Sequence, residues 1–299
     1  MKDFAGRAAF VTGGANGIGI GLVRALLKQG CNVAIADIRS ESIEAALKAL
    51  EDPRVMGVQV DVSSREAMAR AADQVEAKFG PVSLLFNNAG INLFQTVEES
   101  SYDDWDWVMG VNLHGPINGV MTFVPRMIAA GKGGYIVNTA SMAGFLSAGK
   151  PGIYNTTKFA VRGMSESLRA SLAPHGIGVS VLCPGLVKSY IYASDNIRPE
   201  DLKASAKPVD IENVKRLAEI HEFGMEPDVI AARVLDAMRE DRFYIFSHPE
   251  FKDELRELFD EILQDFRDYP VDPGYEKRTG FEKMRRESYK QQRKGLKST

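Results

Sequence analysis

The sequence predicts an α/β fold: a doubly wound, seven-stranded parallel sheet flanked by helices, with a helical extension at its C-terminus. Three observations predict it. Seven short apolar runs have strand length: Ala8 to Thr12, Asn32 to Asp37, Val55 to Asp61, Ser83 to Asn87, Gly134 to Ser141, Val179 to Pro184 and Arg242 to Ser247. Between most of them lie stretches with apolar residues three and four apart, such as Val23, Leu26, Leu27 and Ile43, Ala46, Leu47, Leu50. The runs are rich in Val and Ile without alternation, so both faces of each strand should be covered. Crossovers between such parallel strands are expected to be right-handed.

Taken in order, the first run ends at Thr12-Gly13-Gly14-Ala15-Asn16-Gly17-Ile18-Gly19, which opens a helix. Gly13 suits a tight turn, Gly17 lets backbone approach a pyrophosphate, and Gly19 allows a helix to pack closely on a strand. Free amides at the helix start then face the phosphates, beside Asn16 and Ile18. A glycine cluster alone is weak evidence. Its place between a strand and a helix is the Rossmann-like context that strengthens it. The second run ends at Asp37, eighteen residues past Gly19. A carboxylate there can accept both ribose hydroxyls and repels a 2′-phosphate, which favours NAD over NADP. Arg39 argues the other way, since a guanidinium can hold that phosphate. The alternative role for Asp37 is a helix cap before Ser40.

Asp61-Val62 closes the third run. Asp61 suits the adenine amino group, or an N-cap for the next helix. Asn88, Ala89 and Gly90 after the fourth run suit backbone lying along the cofactor, or a plain turn. A long helix is expected from about Asp103 to Ala130. Within it Asn112 could anchor a water leading to Lys158, or be satisfied in packing. Trp105, Trp107 and Met109 on this helix are a candidate subunit interface.

Ser141 ends the fifth run, where open α/β sheets bind ligands. Thirteen residues later, Tyr154 and Lys158 stand at i and i+4 on one helix face. An ammonium beside a tyrosine favours the phenolate, which can exchange a proton with an alcohol oxygen. The pair alone occurs by chance in many helices. Ser141 at the same rim gives it context. Pro184-Gly185 ends the sixth run there too, and backbone after Gly185, with Val187 and Ser189, could orient a nicotinamide carboxamide.

These residues resemble the short-chain dehydrogenase/reductase family over about Lys2 to Ser247. The resemblance implies a tetrad of Asn112, Ser141, Tyr154 and Lys158. It implies cofactor contacts at Gly13, Gly17, Ile18, Gly19, Asp37, Asp61, Val62, Asn88, Gly90 and Lys158, and in the Pro184 to Ser189 loop. Ser189 stands where the family commonly has threonine, and the hydroxyl is kept. Three further stretches, Tyr102 to Met127, Lys188 to Glu200 and the acidic helix after Ser247, are similar to the bacterial Cα-dehydrogenases. That group oxidises the benzylic alcohol of lignin-derived β-aryl ethers with NAD. The same extended layout also occurs in members of unassigned substrate.

Residues expected at the pocket mouth are Asn92, Leu93, Phe94, Met142, Phe145, Leu146, Ile153, Leu186, Val187, Tyr190 and Tyr192. Phe94, Phe145, Leu186 and Tyr190, with Ser141 and Tyr154, are the expected substrate contacts. Their apolar character favours a hydrophobic or aromatic alcohol and its ketone over a sugar or phosphate ester. Residues 189 to about 222 form a long insertion, the expected mobile lid. The resulting expectation is an NAD-dependent oxidoreductase of secondary alcohols. The rival expectation is a cofactor-binding regulatory or structural protein of the same fold without turnover.

The bulk composition is consistent with this. The 299 residues are 44% hydrophobic and carry a net charge of −3, so neither nucleic acid nor an anionic membrane is an expected partner. Cys31 and Cys183 lie in separate apolar runs and read as buried thiols in a reducing compartment. The first strand follows the N-terminus within a few residues, and no run approaches about 18 apolar residues. No signal peptide or spanning helix is therefore expected, and the expected location is the cytoplasm. His114, His175, His221 and His248 show no ligand spacing. They read as surface or packed imidazoles, and no metal is expected.

A catalytic unit over 1–248 and a C-terminal extension over 249–299 are expected. In the extension, Pro249 to Tyr269 reads as an amphipathic helix with Phe251, Leu255, Leu258, Phe259, Ile262, Leu263 and Phe266 in one stripe. A turn-rich stretch, Pro270 to Gly280, follows. The basic end, Lys283 to Lys297, reads as a solvated helix face or a frayed tail rather than a nucleic-acid contact. A homo-oligomer, dimer or tetramer, is expected.

Overall fold

The computed structural model describes residues 1, 3–204, 206–208, 210–292 and 294. Its centre is one seven-stranded sheet in the order β3-β2-β1-β4-β5-β6-β7, parallel throughout. The strands are β1 (Ala8–Thr12), β2 (Asn32–Asp37), β3 (Val55–Gln59), β4 (Val82–Asn87), β5 (Gly134–Thr139), β6 (Ile177–Cys183) and β7 (Tyr244–Phe246). The helices between them are α1 (Gly17–Lys28), α2 (Ser40–Leu50), α3 (Arg65–Phe79), α4 (Tyr102–Met109), α5 (Gly115–Ala130), α6 (Gly152–Leu172), α7 (Ile211–Glu222) and α8 (Pro227–Glu240).

Strand alternation feeds two cores. β1 sends Ala9 and Val11 into the layer beneath α1 and α8. It sends Ala8 and Phe10 into the opposite layer with Met68 of α3 and Phe123 of α5. Coverage of both faces is why these strands read as continuous apolar runs. Strand order reverses between β1 and β4, so a crevice opens beyond their carboxyl ends.

The expected strands are all present; β1 and β2 keep their expected limits and the other five shift. β6 starts two residues earlier than its apolar run because Gly176 takes a left-handed turn (φ 66°) and Gly178 lies flat on the Tyr135 ring. β3 stops at Gln59, leaving Val60 and Asp61 free to reach the crevice.

The long helix predicted over 103–130 is broken into α4 and α5 by a π-helical turn, Gly110–His114. Asn112 lies within that turn, a feature often found at functional sites. Trp107 is buried among Ile91, Leu93, Val108 and Ile153, with Trp105 packed beside them. Packing inside the chain therefore accounts for Trp107, while Trp105 and Met109 stay half-buried.

The insertion after Ser189 is ordered as 3-10 turns over Ile191–Ile197 and Glu200–Leu202, followed by α7. The extension holds α9 (Lys252–Gln264), shorter than the predicted 249–269, and α10 (Tyr275–Gln292). α10 takes in the second half of the predicted turn-rich stretch. Asp272 accepts from the Gly274 amide and pairs with Arg278, which starts the helix there. Of the α9 stripe, Phe251 and Leu255 pack inward beside Phe145 and Val181. Phe259, Ile262, Leu263 and Phe266 are exposed. The basic end is helical through Gln292, and residues 295–297 lie outside the described ones.

Candidate active site

A cleft of about 1160 Å³ opens at the carboxyl edge of the sheet. Its inner end is the glycine turn. Gly13 (φ 59°) and Gly17 (φ 51°) both take left-handed backbone. A side-chain carbon at Gly13 would meet Ala89 Cα at 2.9 Å, and one at Gly17 would lie 3.3 Å from Ser189 Cβ. Gly19 does not line the cleft. A carbon there would lie 2.0 Å from the Gly13 carbonyl oxygen, so its role is to let α1 pack on the turn. The turn is tied to β4 by Thr12, whose hydroxyl accepts from the Asn88 and Ala89 amides at 2.9 and 3.0 Å.

Asn16 precedes α1 with extended backbone and makes no capping bond, and its buried Nδ2 has no partner. An unpaired donor beside glycines at a helix N-terminus matches a phosphate cradle. Asp37, at the end of β2, accepts from the Ala15 and Arg39 amides, each at 3.3 Å. Arg39 occupies the cap position of α2, so Asp37 is not that helix's cap. Arg39 Nε lies 3.9 Å from the Asp37 carboxylate. Asp61 accepts from Ser63 at 2.9 and 2.7 Å, and Ser64 rather than Asp61 caps α3. Asp61, Val62, Asn88, Ala89 and Gly90 all line the cleft. These groups fit a dinucleotide.

Ser141, Tyr154 and Lys158 share the next wall. Ser141 lies two residues past β5 and accepts from the Ala143 amide at 3.1 Å, while its hydroxyl donates to the Pro184 carbonyl at 3.3 Å. Tyr154 and Lys158 lie on α6, with Lys158 Nζ 5.1 Å from the tyrosine ring centroid. Lys158 donates to the Thr139 carbonyl at 3.0 Å. Burial pushes the Lys158 ammonium down to about 8, slightly opposed by Cys183. Burial also holds the Tyr154 phenol above its ordinary value, against a hydrogen bond with Ser141.

Asn112 does not line the cleft. The π-turn aims it at backbone: Oδ1 accepts from the Ile91 amide at 2.8 Å, and Nδ2 donates to the Ile91 carbonyl at 2.9 Å. A carbon at Gly90 would lie 3.4 Å from Asn112 Oδ1 and 3.6 Å from Lys158 Nζ. Glycine thus keeps the space between these two polar groups open.

Pro184, Gly185, Leu186, Val187 and Ser189 also line the cleft, as do Phe94 and Tyr190. Asn92, Met142 and Leu146 also line the cleft. Phe145 does not, contrary to expectation. It packs against Tyr244 and Phe246, with ring centroids 5.7 and 5.6 Å away, under the Arg162 guanidinium. Leu93 and Ile153 are buried beside Trp107. Tyr192 lies behind the wall, 5.0 Å from the His221 ring. Sequence reasoning missed Trp107, Ser194, Leu202, His221, Phe251 and Glu254, all at the outer cleft. They carry no local motif and arrive there only through tertiary packing.

Residues 7–199 match the family described as short chain dehydrogenase. The chain belongs to the short chain dehydrogenase family. It is an oxidoreductase of that family. The chain is 40% identical to a C alpha-dehydrogenase of Sphingobium sp. (strain NBRC 103272 / SYK-6), over 91% of this chain and 90% of that protein. A short-chain dehydrogenase structure from Novosphingobium aromaticivorans is 61% identical, with a TM-score of 0.87, covering 99% of this chain and 100% of that one. A short-chain dehydrogenase/reductase from Burkholderia phymatum in complex with NAD is 34% identical, with a TM-score of 0.84, covering 91% and 100%. No helix among the described residues is long and apolar enough to cross a membrane.

Proposed function

We propose that this dehydrogenase interconverts a secondary aryl carbinol and its ketone, using NAD. The observation that carries the reading is the meeting of Ser141, Tyr154 and Lys158 on one wall of the cleft that begins at the glycine turn. Ser141 holds the alcohol oxygen. Tyr154 takes the hydroxyl proton as the carbinol carbon loses hydride. When bound, the nicotinamide ring supplies the hydride acceptor. With a value near 8, Lys158 is mostly protonated at neutral pH. Its charge beside the phenol opposes the burial that disfavours phenolate. Asn112 fixes the Ile91 backbone and, across the space at Gly90, holds a water next to Lys158.

Asp37 supports NAD, as does the relative that holds NAD. The aromatic substrate is supported by Phe94, Trp107, Leu146, Leu186, Tyr190 and Leu202 around the outer cleft, and by the name of the Sphingobium relative. A cleft this large exceeds the roughly 300–1,000 Å³ of a single-ligand site and leaves room for a two-ring substrate beside a dinucleotide.

The test is NADH absorbance with benzylic alcohols, steroids, sugars and simple secondary alcohols. Aryl carbinols should give the highest kcat/KM. A better steroid or sugar would overturn the substrate class. Binding of NADH without turnover of any alcohol or ketone would identify a non-catalytic binding protein instead.

A further inference from the structure

His248 was unremarkable in sequence, one of four scattered histidines. In the fold it follows β7 and is 4% exposed, with both ring nitrogens bonded. Nδ1 lies 3.0 Å from the Gly185 amide nitrogen and 2.9 Å from Ser247 Oγ. Nε2 lies 2.8 Å from the Leu186 carbonyl oxygen. An amide N–H can only donate, so Nδ1 must be unprotonated. A carbonyl can only accept, so Nε2 must carry the proton. Only the neutral Nε2–H tautomer satisfies every partner, with Ser247 donating its hydroxyl proton to Nδ1.

These partners belong to the loop after β6 that forms one wall of the cleft. The loop is gripped at other points. The Pro184 carbonyl accepts from Ser141 and from the Met142 amide, and the Leu186 carbonyl also accepts from the Met225 amide. Gly185 has no room to move toward the C-terminal extension: a side-chain carbon there would lie 2.4 Å from Phe251 and 3.1 Å from the His248 ring. His248 therefore contributes both a donor and an acceptor to a segment that touches Ser141 at its start and the glycine turn, through Ser189, at its end.

We propose that His248 is a positioning residue: its neutral imidazole sets the backbone of Pro184–Val187, and through it the alignment of cofactor and alcohol. The role in catalysis rests on the function proposed above, whereas the clamp itself does not. Small misplacements of such a wall are costly in rate.

The test uses the full chain with two readouts. One is amide hydrogen exchange of the 184–188 peptide without ligand. The other is kcat/KM together with NADH affinity. His248→Phe removes both bonds and keeps a ring. It should speed exchange in this peptide and lower kcat/KM by about tenfold or more. His248→Gln restores one acceptor and one donor, and should recover most of both. Wild-type exchange in His248→Phe, or no recovery in His248→Gln, overturns the proposal. Should His248→Phe fail to fold, His248→Asn decides. It keeps an acceptor for Gly185 but cannot reach Leu186, so exchange should rise above wild type, and unchanged exchange again overturns the clamp. A wild-type protein that does not bind NADH would instead remove the proposed function, leaving the exchange result to stand alone.

Discussion

The floor of the cleft is carried by strands, and its roof by segments that have none. On the floor, Gly13, Asn88, Ser141 and Pro184 follow the ends of β1, β4, β5 and β6, and the parallel ladder fixes their separations. The roof, among the described residues of 190–222, holds 3-10 turns over Ile191–Ile197 and Glu200–Leu202 and then α7. Its strongest tie is Arg198, 4% exposed at its side chain, which pairs with buried Asp104 at 2.8 Å and with Asp195 at 2.9 Å. The same guanidinium lies over the Trp107 ring at 4.7 Å. Other ties, such as Lys207 to Glu99 and Lys188 to Glu222, are exposed pairs that contribute little. The floor spreads its support over many backbone bonds, while the described residues of the roof depend on a few side chains, chiefly Arg198 and buried Ser194, whose hydroxyl accepts from the Asn92 amide at 3.0 Å. Substitutions on the floor should therefore change chemistry without unfolding, whereas those in the roof should change stability and substrate affinity together.

The largest effect should come from the floor. Tyr154→Phe removes the proton acceptor and leaves the ring on α6. It should lower kcat by about 10³-fold, within the usual range for a general base, with NADH affinity unchanged. The comparison breaks if NADH binding, read by fluorescence, is lost as well. Turnover at the wild-type rate would remove Tyr154 from the chemistry.

The next effect lies in the roof. Arg198→Met strands Asp104 as a buried carboxylate, which should cost about 3 kcal/mol of stability and raise KM for the alcohol. Burial opposes ionisation of Asp104, but hydrogen bonds from Ser101, Gln95 and Arg198 outweigh it and hold its carboxyl below the ordinary value. A depressed carboxylate stabilises the fold above its unfolded value, near pH 3.9, and loses that contribution as pH falls through the lower folded value. The gap between wild type and Arg198→Met in urea unfolding should thus be full at pH 7 and shrink below about pH 4. An equal gap at pH 7 and pH 3 would show that the loss is one of packing on Trp107 rather than of charge pairing.

The same contrast decides what the sequence could show. The glycine turn, Asp37 and the Tyr154–Lys158 pair depend on local spacing after a strand, and that spacing was readable. Arg198 and His248 act through Asp104 and Gly185, 94 and 63 residues away in the chain, so no periodicity announced them. Phe145 shows the limit nearer the site. It lies four residues past Ser141, yet the 3-10 turn at Met142–Gly144 turns it into the packing around β7. Asn112 is aimed inward by a π-turn that a 3.6-residue period does not foresee. In the fold, strand existence was legible and the limits of β1 and β2 were too, but that of β6 was not, because Gly178 interrupts its apolar run without interrupting the ladder. The start of α10 was read as turn for the opposite reason: the helix buries no residue, so no apolar face marked where it begins.

The smallest predicted effect sharpens the reading of the floor's inner end. Asp37 holds the Ala15 amide within the glycine turn and stands next to Arg39, so it can act by shaping the turn or by repelling a 2′-phosphate. Asp37→Ala removes the charge and leaves Arg39 free to attract phosphate. If repulsion dominates, kcat/KM with NADP should rise relative to NAD by about tenfold, equivalent to roughly 1.4 kcal/mol. If shaping dominates, both cofactors should weaken in parallel and their ratio should hold. Asp37→Asn separates the two, since the amide oxygen can still accept from Ala15 while the charge is gone. A shifted ratio in Asp37→Asn, with NAD affinity close to wild type, would assign Asp37 to discrimination. An unchanged ratio in both variants would leave it as a support of the turn and return the choice of cofactor to the rest of the adenosine end.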